Sequence, residues 1–230
     1  RGSALGLAAV GAGLVGNTAA IGTVSHGNMA MSTASFAASM GFPCVVLVPD
    51  DIPPERLDVI AQFDPTVVTV AGDYGRLYEQ TVERGPDHGI VFLNSDVPLR
   101  VEGQKTTTLE LCESFAPGTP DAIVMPVSSG GHASGAWKAL RELVAAGTID
   151  HADVPELYFV QASACAPIAE AFEADADAVS SIEGGETIAY SIANADPPSG
   201  TRALRAARET GGAVVAVDDD EIRNARRTLA

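Results

Sequence analysis

Seven short strand-like runs, mostly of apolar and β-branched residues, recur along the chain, and between most of them apolar residues return every three or four positions. The runs are 20–24, 43–48, 66–70, 90–93, 122–127, 157–161 and 213–217; the amphipathic stretches include 54–63, 74–84 and 199–210. Consecutive Val, Ile and Leu predict strands buried on both faces, and spacing of three and four predicts helices. Alternating strand and helix of this kind predicts an α/β fold with parallel, doubly wound sheets in three-layer α/β/α domains. The segment Ala116-Pro117-Gly118-Thr119-Pro120 interrupts the alternation before a new strand begins. It suggests two domains, a smaller one over 1–112 and a larger one over 113–230.

Two loops of small residues stand at the carboxyl ends of predicted strands, where ligands of such sheets bind. Ser25-His26-Gly27-Asn28 follows the first run, and Ser128-Ser129-Gly130-Gly131-His132 follows the fifth. Each leads into a predicted helix, whose first amides lack partners and whose dipole is positive there. Both loops are therefore candidate anion cradles, and one ligand could bridge them. Taken alone, the second also reads as a tight turn with a serine cap. Gly11-Ala12-Gly13-Leu14-Val15-Gly16 has the spacing of a dinucleotide fingerprint. It is followed by a strand-like run instead of a helix, and no acidic residue stands about 20 positions on, so it reads as a helix end with a glycine-rich turn.

Charge narrows the partners. Thirty acidic residues face 14 basic ones in 230, a net charge of -16. That argues against nucleic acid or an anionic membrane surface as partner. Lys105 and Lys138 are the two lysines. So many spread carboxylates suggest a halophilic surface, stabilised where molar salt shortens the screening length to about 3 Å. Cys44, Cys112 and Cys165 are odd in number and far apart, which suggests buried free thiols. No run reaches the length of a membrane span and no signal-peptide pattern opens the sequence, so a cytoplasmic location is the expectation. The acidic, glycine-containing stretch 173–186 reads as a mobile surface loop.

With the two loops in this order, the chain resembles the fold-type II pyridoxal-phosphate enzymes, the tryptophan synthase β-like family, and threonine synthases most closely among them. Ser25-His26-Gly27-Asn28 stands where the family has Ser-Thr-Gly-Asn, and Glu102-Gly103-Gln104-Lys105-Thr106 matches its Glu-Gly-Gln-Lys-Thr. Pro126 to His132, Gln161-Ala162, Cys165-Ala166-Pro167-Ile168 and 192–200 follow in the family's order. The resemblance implies pyridoxal 5'-phosphate as cofactor. It implies that Asn28 meets the phenolic oxygen of the cofactor ring. Ser25, His26 and Gly27 would take the substrate carboxylate, and Ser128, Ser129, Gly130, Gly131 and His132 the cofactor phosphate. His26 departs from the family's Thr, and Ser128, Ser129 and His132 from its usual Gly or Asn.

What the resemblance implies for activity is a carbon–oxygen lyase of amino-acid (threonine) biosynthesis, converting O-phosphohomoserine and water to threonine and phosphate. A threonine or serine dehydratase of the same fold and an inactive amino-acid-binding paralogue remain alternatives. The family's Schiff-base lysine lies in Lys-Asp-Arg-Gly, and this chain opens on Arg1-Gly2. That lysine is expected two residues before Arg1, so the expectation is a fragment short at both ends, with no catalytic residue of its own and inactive alone. Lys105 and Lys138 would be candidates only if the chain began at Arg1, and Lys138, beside Trp137 in a predicted helix, reads as a solvated ammonium. The partner is a small amino-acid substrate, with no metal site. A homodimer is compatible with the resemblance.

Overall fold

The computed structural model describes residues 18–25, 27–50, 52–71, 74–95 and 97–229. The glycine-rich stretch 11–16 and His26 lie outside them. The contacts divide the chain into two compact units, Arg1–Gly103 and Gln104–Ala230.

In the first unit, β1 (Ala20–Val24), β2 (Cys44–Pro49), β3 (Thr66–Val70) and β4 (Ile90–Phe92) form a parallel sheet in the order β3-β2-β1-β4. Between them run α1 (Asn28–Ser39), α2 (Pro54–Ala61) and α3 (Tyr74–Arg84). Right-handed crossovers in one direction put α1 and α2 on one face, and the step back from β3 to β4 puts α3 on the other. Ile21 to Val24 are accordingly all buried. Ile21, Val46 and Val48 pack under Ala30, Ala34 and Ile60 on the α1–α2 side. Phe92 lies beside Gly22, where a Cβ would meet its ring at 2.7 Å. The helix α1 is stopped by Gly41 in the left-handed region (φ 64), so that Gly41 N–H donates to Ala38 and Phe42 N–H to Ala37. This turn places Cys44 at the start of β2.

The helix α4 (Pro98–Phe115) contains the division between the units. In the second unit, β5 (Ala122–Pro126), β6 (Glu156–Ala162) and β7 (Ala213–Val217) make a parallel sheet in the order β5-β6-β7. Its crossovers carry α5 (Gly131–Ala145), α6 (Pro167–Glu173) and α7 (Gly200–Glu209), and α8 (Asp219–Leu229) follows β7. Here the strand order never reverses, so right-handedness puts α5, α6 and α7 on one face. Met125, Phe159 and Val214 pack there against Leu140, Ile168 and Leu204. On the other face Val124 is 68% exposed and Val215 41%.

All seven predicted strands and the helices over 54–63, 74–84 and 199–210 are present, with ends moved by one or two residues. Cys44, Cys112 and Cys165 are buried free thiols, and burial pushes Cys44 up to about 11. Among the described residues no helix is long and apolar enough to cross a membrane. The stretch 173–186, expected to be a mobile surface loop, has hydrogen bonds to distant residues, with another just beyond its end. Val179 N–H donates to Thr201 Oγ1 (3.1 Å), Gly185 N–H to the Ala164 carbonyl (2.7 Å), and Thr187 Oγ1 to Asp219 (2.6 Å). Those partners lie far along the chain, where local composition carries no sign of them.

Candidate active site

The two small-residue loops leave β1 and β5 at their carboxyl ends, each opening directly into a helix. In the first unit the strand order reverses between β1 and β4, which is the point where open α/β sheets form a ligand crevice. Ser25 directly follows β1. It is nearly buried, its N–H donates to the Leu47 carbonyl (3.1 Å), and its Oγ accepts from Gly27 N–H (3.3 Å). Gly27 is the N-cap of α1 and supplies no side-chain cap, and no acidic residue occupies the first turn. Asn28 begins the helix with its side chain exposed. The end of β1 is held by Asn94, a fully buried residue just beyond β4. Val24 N–H donates to Asn94 Oδ1 at 3.0 Å, and Asn94 Nδ2 donates to Thr81 Oγ1 at 3.2 Å.

The second loop is built differently. Gly130, not a serine, is the N-cap of α5, in the left-handed region with φ 84, and no side chain caps the helix. The hydroxyls of Ser128 and Ser129, both partly exposed, are thus not spent on capping. Ser199 N–H donates to the Ser129 carbonyl at 2.8 Å, and a Cβ on Gly130 would stand 2.5 Å from the Ser199 carbonyl oxygen. The Gly130 carbonyl accepts from Ser134 N–H and Ser134 Oγ, both at 2.9 Å. Ser199 is itself the N-cap of α7, again without a side-chain cap or first-turn acid. Two positive helix ends therefore lie side by side here. The contrast is α8, where Asp218 Oδ1 accepts from Asp220 and Glu221 N–H and three acidic residues fill the first turn.

His132 sits in the first turn of α5. The residue keeps much of its surface accessible, yet the protein packed about the ring lowers its basicity below the ordinary histidine value. The positive helix end acts in the same direction, so neutral imidazole is the form favoured here.

Both lysines are engaged elsewhere. Lys105 Nζ and Lys138 Nζ each lie 2.7 Å from a Glu142 carboxylate oxygen, and these bonds, Lys105's first, hold that carboxyl below its usual range. Lys138 is therefore ion-paired, not simply solvated. Glu142 stands 11 residues beyond Gly131, about 16 Å along the axis of α5. The Glu102-to-Thr106 motif thus contributes an α4–α5 clasp, tightened where a Cβ on Gly135 would meet Gln104 at 3.1 Å.

Asn94 and Ser199 were not singled out from the sequence. Asn94 follows a predicted strand at its carboxyl end, a signal that could have marked it. Ser199 carried only the motif around it. Gln161 also gains a role, since its buried Oε1 accepts from Ile168 and Ala169 N–H and caps α6 from the strand beside it.

This geometry can be set beside known proteins. The family model described as pyridoxal-phosphate dependent enzyme matches residues 2–230. The chain is 33% identical to a threonine synthase of Methanocaldococcus jannaschii over 91% of this chain and 52% of that protein. It is 32% identical to a threonine synthase of Methanosarcina acetivorans with the same coverage. It spans about half the length of these curated relatives. Among solved structures, maize serine racemase superposes with a TM-score of 0.79 at 20% identity, covering 99% of this chain and 64% of that one. A threonine deaminase of T.th. reaches 0.76 at 22% identity, covering 100% and 70%. The chain belongs to the pyridoxal-phosphate dependent enzymes, with the fold-type II architecture.

Proposed function

We propose that this member of the pyridoxal-phosphate dependent enzymes is part of a lyase of the threonine synthase type, which converts O-phosphohomoserine and water to threonine and phosphate. The observation that carries the reading is the loop from Ser128 to His132. It has an uncapped helix start, a left-handed glycine pressed on a second helix end, and two serine hydroxyls not used for capping. Such a donor set fits a phosphate dianion, which accepts from amides and hydroxyls and is favoured at a positive helix end. Similarity to threonine synthases at 33% and 32% identity directs the choice of reaction.

In this reading, Ser128, Ser129, Gly130, Gly131 and His132 hold the cofactor phosphate. His132 adds a ring N–H as a further hydrogen-bond donor. Asn28 offers its exposed amide to the ring oxygen. Ser25, His26 and Gly27 hold the substrate carboxylate through hydroxyl and backbone N–H donors. The cofactor, when bound, supplies the electron sink for chemistry at the substrate's α and β carbons. Lys105 and Lys138 serve neither loop, because Glu142 keeps both on the distal half of α5. A salt-rich cytoplasm would suit a chain of net charge -16, and potassium chloride should raise its melting temperature.

The test is phosphate release from O-phosphohomoserine by the full-length protein, run beside ammonia release from threonine and serine. Preferred turnover of O-phosphohomoserine is expected. Preferred deamination of threonine or serine would make the protein a dehydratase. Borohydride fixation of the cofactor followed by peptide mass spectrometry supplies a second readout. A label on Lys105 or Lys138 would overturn the site as assigned.

A further inference from the structure

At the reversal point of the first sheet, a hydrogen-bonded chain crosses from helix to strand. Thr81 Oγ1 donates to the Tyr78 carbonyl (2.7 Å), Asn94 Nδ2 donates to Thr81 Oγ1 (3.2 Å), and Val24 N–H donates to Asn94 Oδ1 (3.0 Å). Thr81 and Asn94 are both buried, and the residues joined by the last bond are 70 positions apart. The final regular bond between β4 and β1 is Leu93 N–H to the Gly22 carbonyl (2.8 Å). Beyond it β4 has ended, and the Asn94 side chain takes up the pairing at Val24. Val24 is the last residue of β1, so this bond fixes the direction in which Ser25 leaves the strand. On its other side Ser25 is held by Leu47.

We propose that Asn94 is the positioning residue for the loop that begins at Ser25. Its amide extends β1 by one paired position and sets the orientation of the Ser25 hydroxyl and the Gly27 N–H. An amide is suited to the task because it offers an acceptor to Val24 and a donor to Thr81 on one rigid plane, leaving neither end unpaired in the buried site. Alanine would take the Asn94 Oδ1 acceptor away from the buried Val24 N–H, a loss far larger than that of an exposed bond. The effect on substrate rests on the reading of this loop as the seat of the substrate carboxylate. The effect on the loop itself does not.

The experiment compares Asn94→Ala with Thr81→Val in the full-length protein. Thr81→Val removes the helix end of the chain but leaves Asn94 able to accept from Val24, so it serves as a control for lost stability. Two quantities are measured: hydrogen exchange at the amides of Val24, Ser25 and Gly27, and the kinetics with O-phosphohomoserine. Asn94→Ala is expected to speed exchange at these amides about tenfold and to raise KM about tenfold with a smaller change in kcat. Thr81→Val is expected to lower the unfolding midpoint while keeping exchange and KM near the parent values. Asn94→Asp keeps an acceptor for Val24 and should hold loop exchange within about threefold of the parent, which preserves the test if the alanine variant does not fold. Equal effects of Asn94→Ala and Thr81→Val on exchange, or no change in Asn94→Ala, would overturn the proposal. Faster exchange with unchanged KM would uphold Asn94 as the loop's anchor and remove the carboxylate from this loop.

Discussion

The loop after β1 is held by a side chain beside one backbone bond to Leu47, and the loop after β5 by backbone, although both hand a strand to an uncapped helix. Asn94 reaches the first from the neighbouring strand end, and either of its bonds can be edited by one substitution. The second is gripped by the Ser199 N–H and carbonyl, groups present in whatever residue stands there. The editable position in that grip is Gly130, and what it contributes is the lack of a side chain. A ligand loop can therefore owe its glycine to the protein behind it as much as to the ligand in front.

Three measurements can break or sharpen this contrast. The largest effect is expected from Gly130→Ala, which combines a left-handed backbone with a Cβ 2.5 Å from the Ser199 carbonyl oxygen. Denaturant unfolding should show a loss of about 3 kcal/mol. Gly147→Ala is the matched control, because Gly147 has φ 67 but nothing within 4 Å of its added Cβ, and it should lose about 1 kcal/mol. If the two variants lost the same amount, the backbone grip by Ser199 would be refuted. Next in size is Asn28→Ala. Its side chain is exposed, so the stability of the cofactor-free protein should not change, while the cofactor dissociation constant rises about two- to tenfold for one lost hydrogen bond. Unchanged cofactor affinity would take Asn28 out of the ring contact.

The smallest effect concerns His132, whose folded-state pKa is lowered from 6.5 by burial. A lowered basicity means the unfolded chain takes up a proton first. The resulting stability is complete above pH 6.5 and is lost as the pH falls below it. Unfolding midpoints of the parent should therefore fall more steeply below pH 6.5 than those of His132→Gln. A phosphate bound in the loop should raise the His132 titration seen by NMR, since an anion favours imidazolium. A His132 that titrates at or above the ordinary histidine value without ligand would contradict the site's electrostatics.

The strands were legible because several are near-continuous Val, Ile and Leu, as at Val45-Val46-Leu47-Val48, and the rest are short runs rich in β-branched and apolar residues between amphipathic stretches. Small residues after β1 and β5 were legible as loops because helix starts favour them. What stayed hidden depends on strand order or on pairs far apart in sequence. Nothing near Asn94 announces that its amide serves Val24. Nothing near Gly130 announces Ser199. The open face carrying Val124 likewise follows from a sheet that never reverses, and periodicity within a single strand does not reveal strand order. Ser128 and Ser129 read equally well as caps until the structure assigned the cap to Gly130.

Glu142 has a consequence for protein chemistry at the bench. It gathers the ammonium groups of the two lysines in this stretch of polypeptide into a single ion-paired cluster, in which Lys105 is only 19% exposed. Reagents that acylate amines must reach the nitrogen, and the close Glu142 carboxylate with the low exposure of Lys105 obstructs that approach. Modification of Lys105 would therefore report the moments when α4 and α5 part, so that a routine labelling reaction becomes a footprint of that clasp opening.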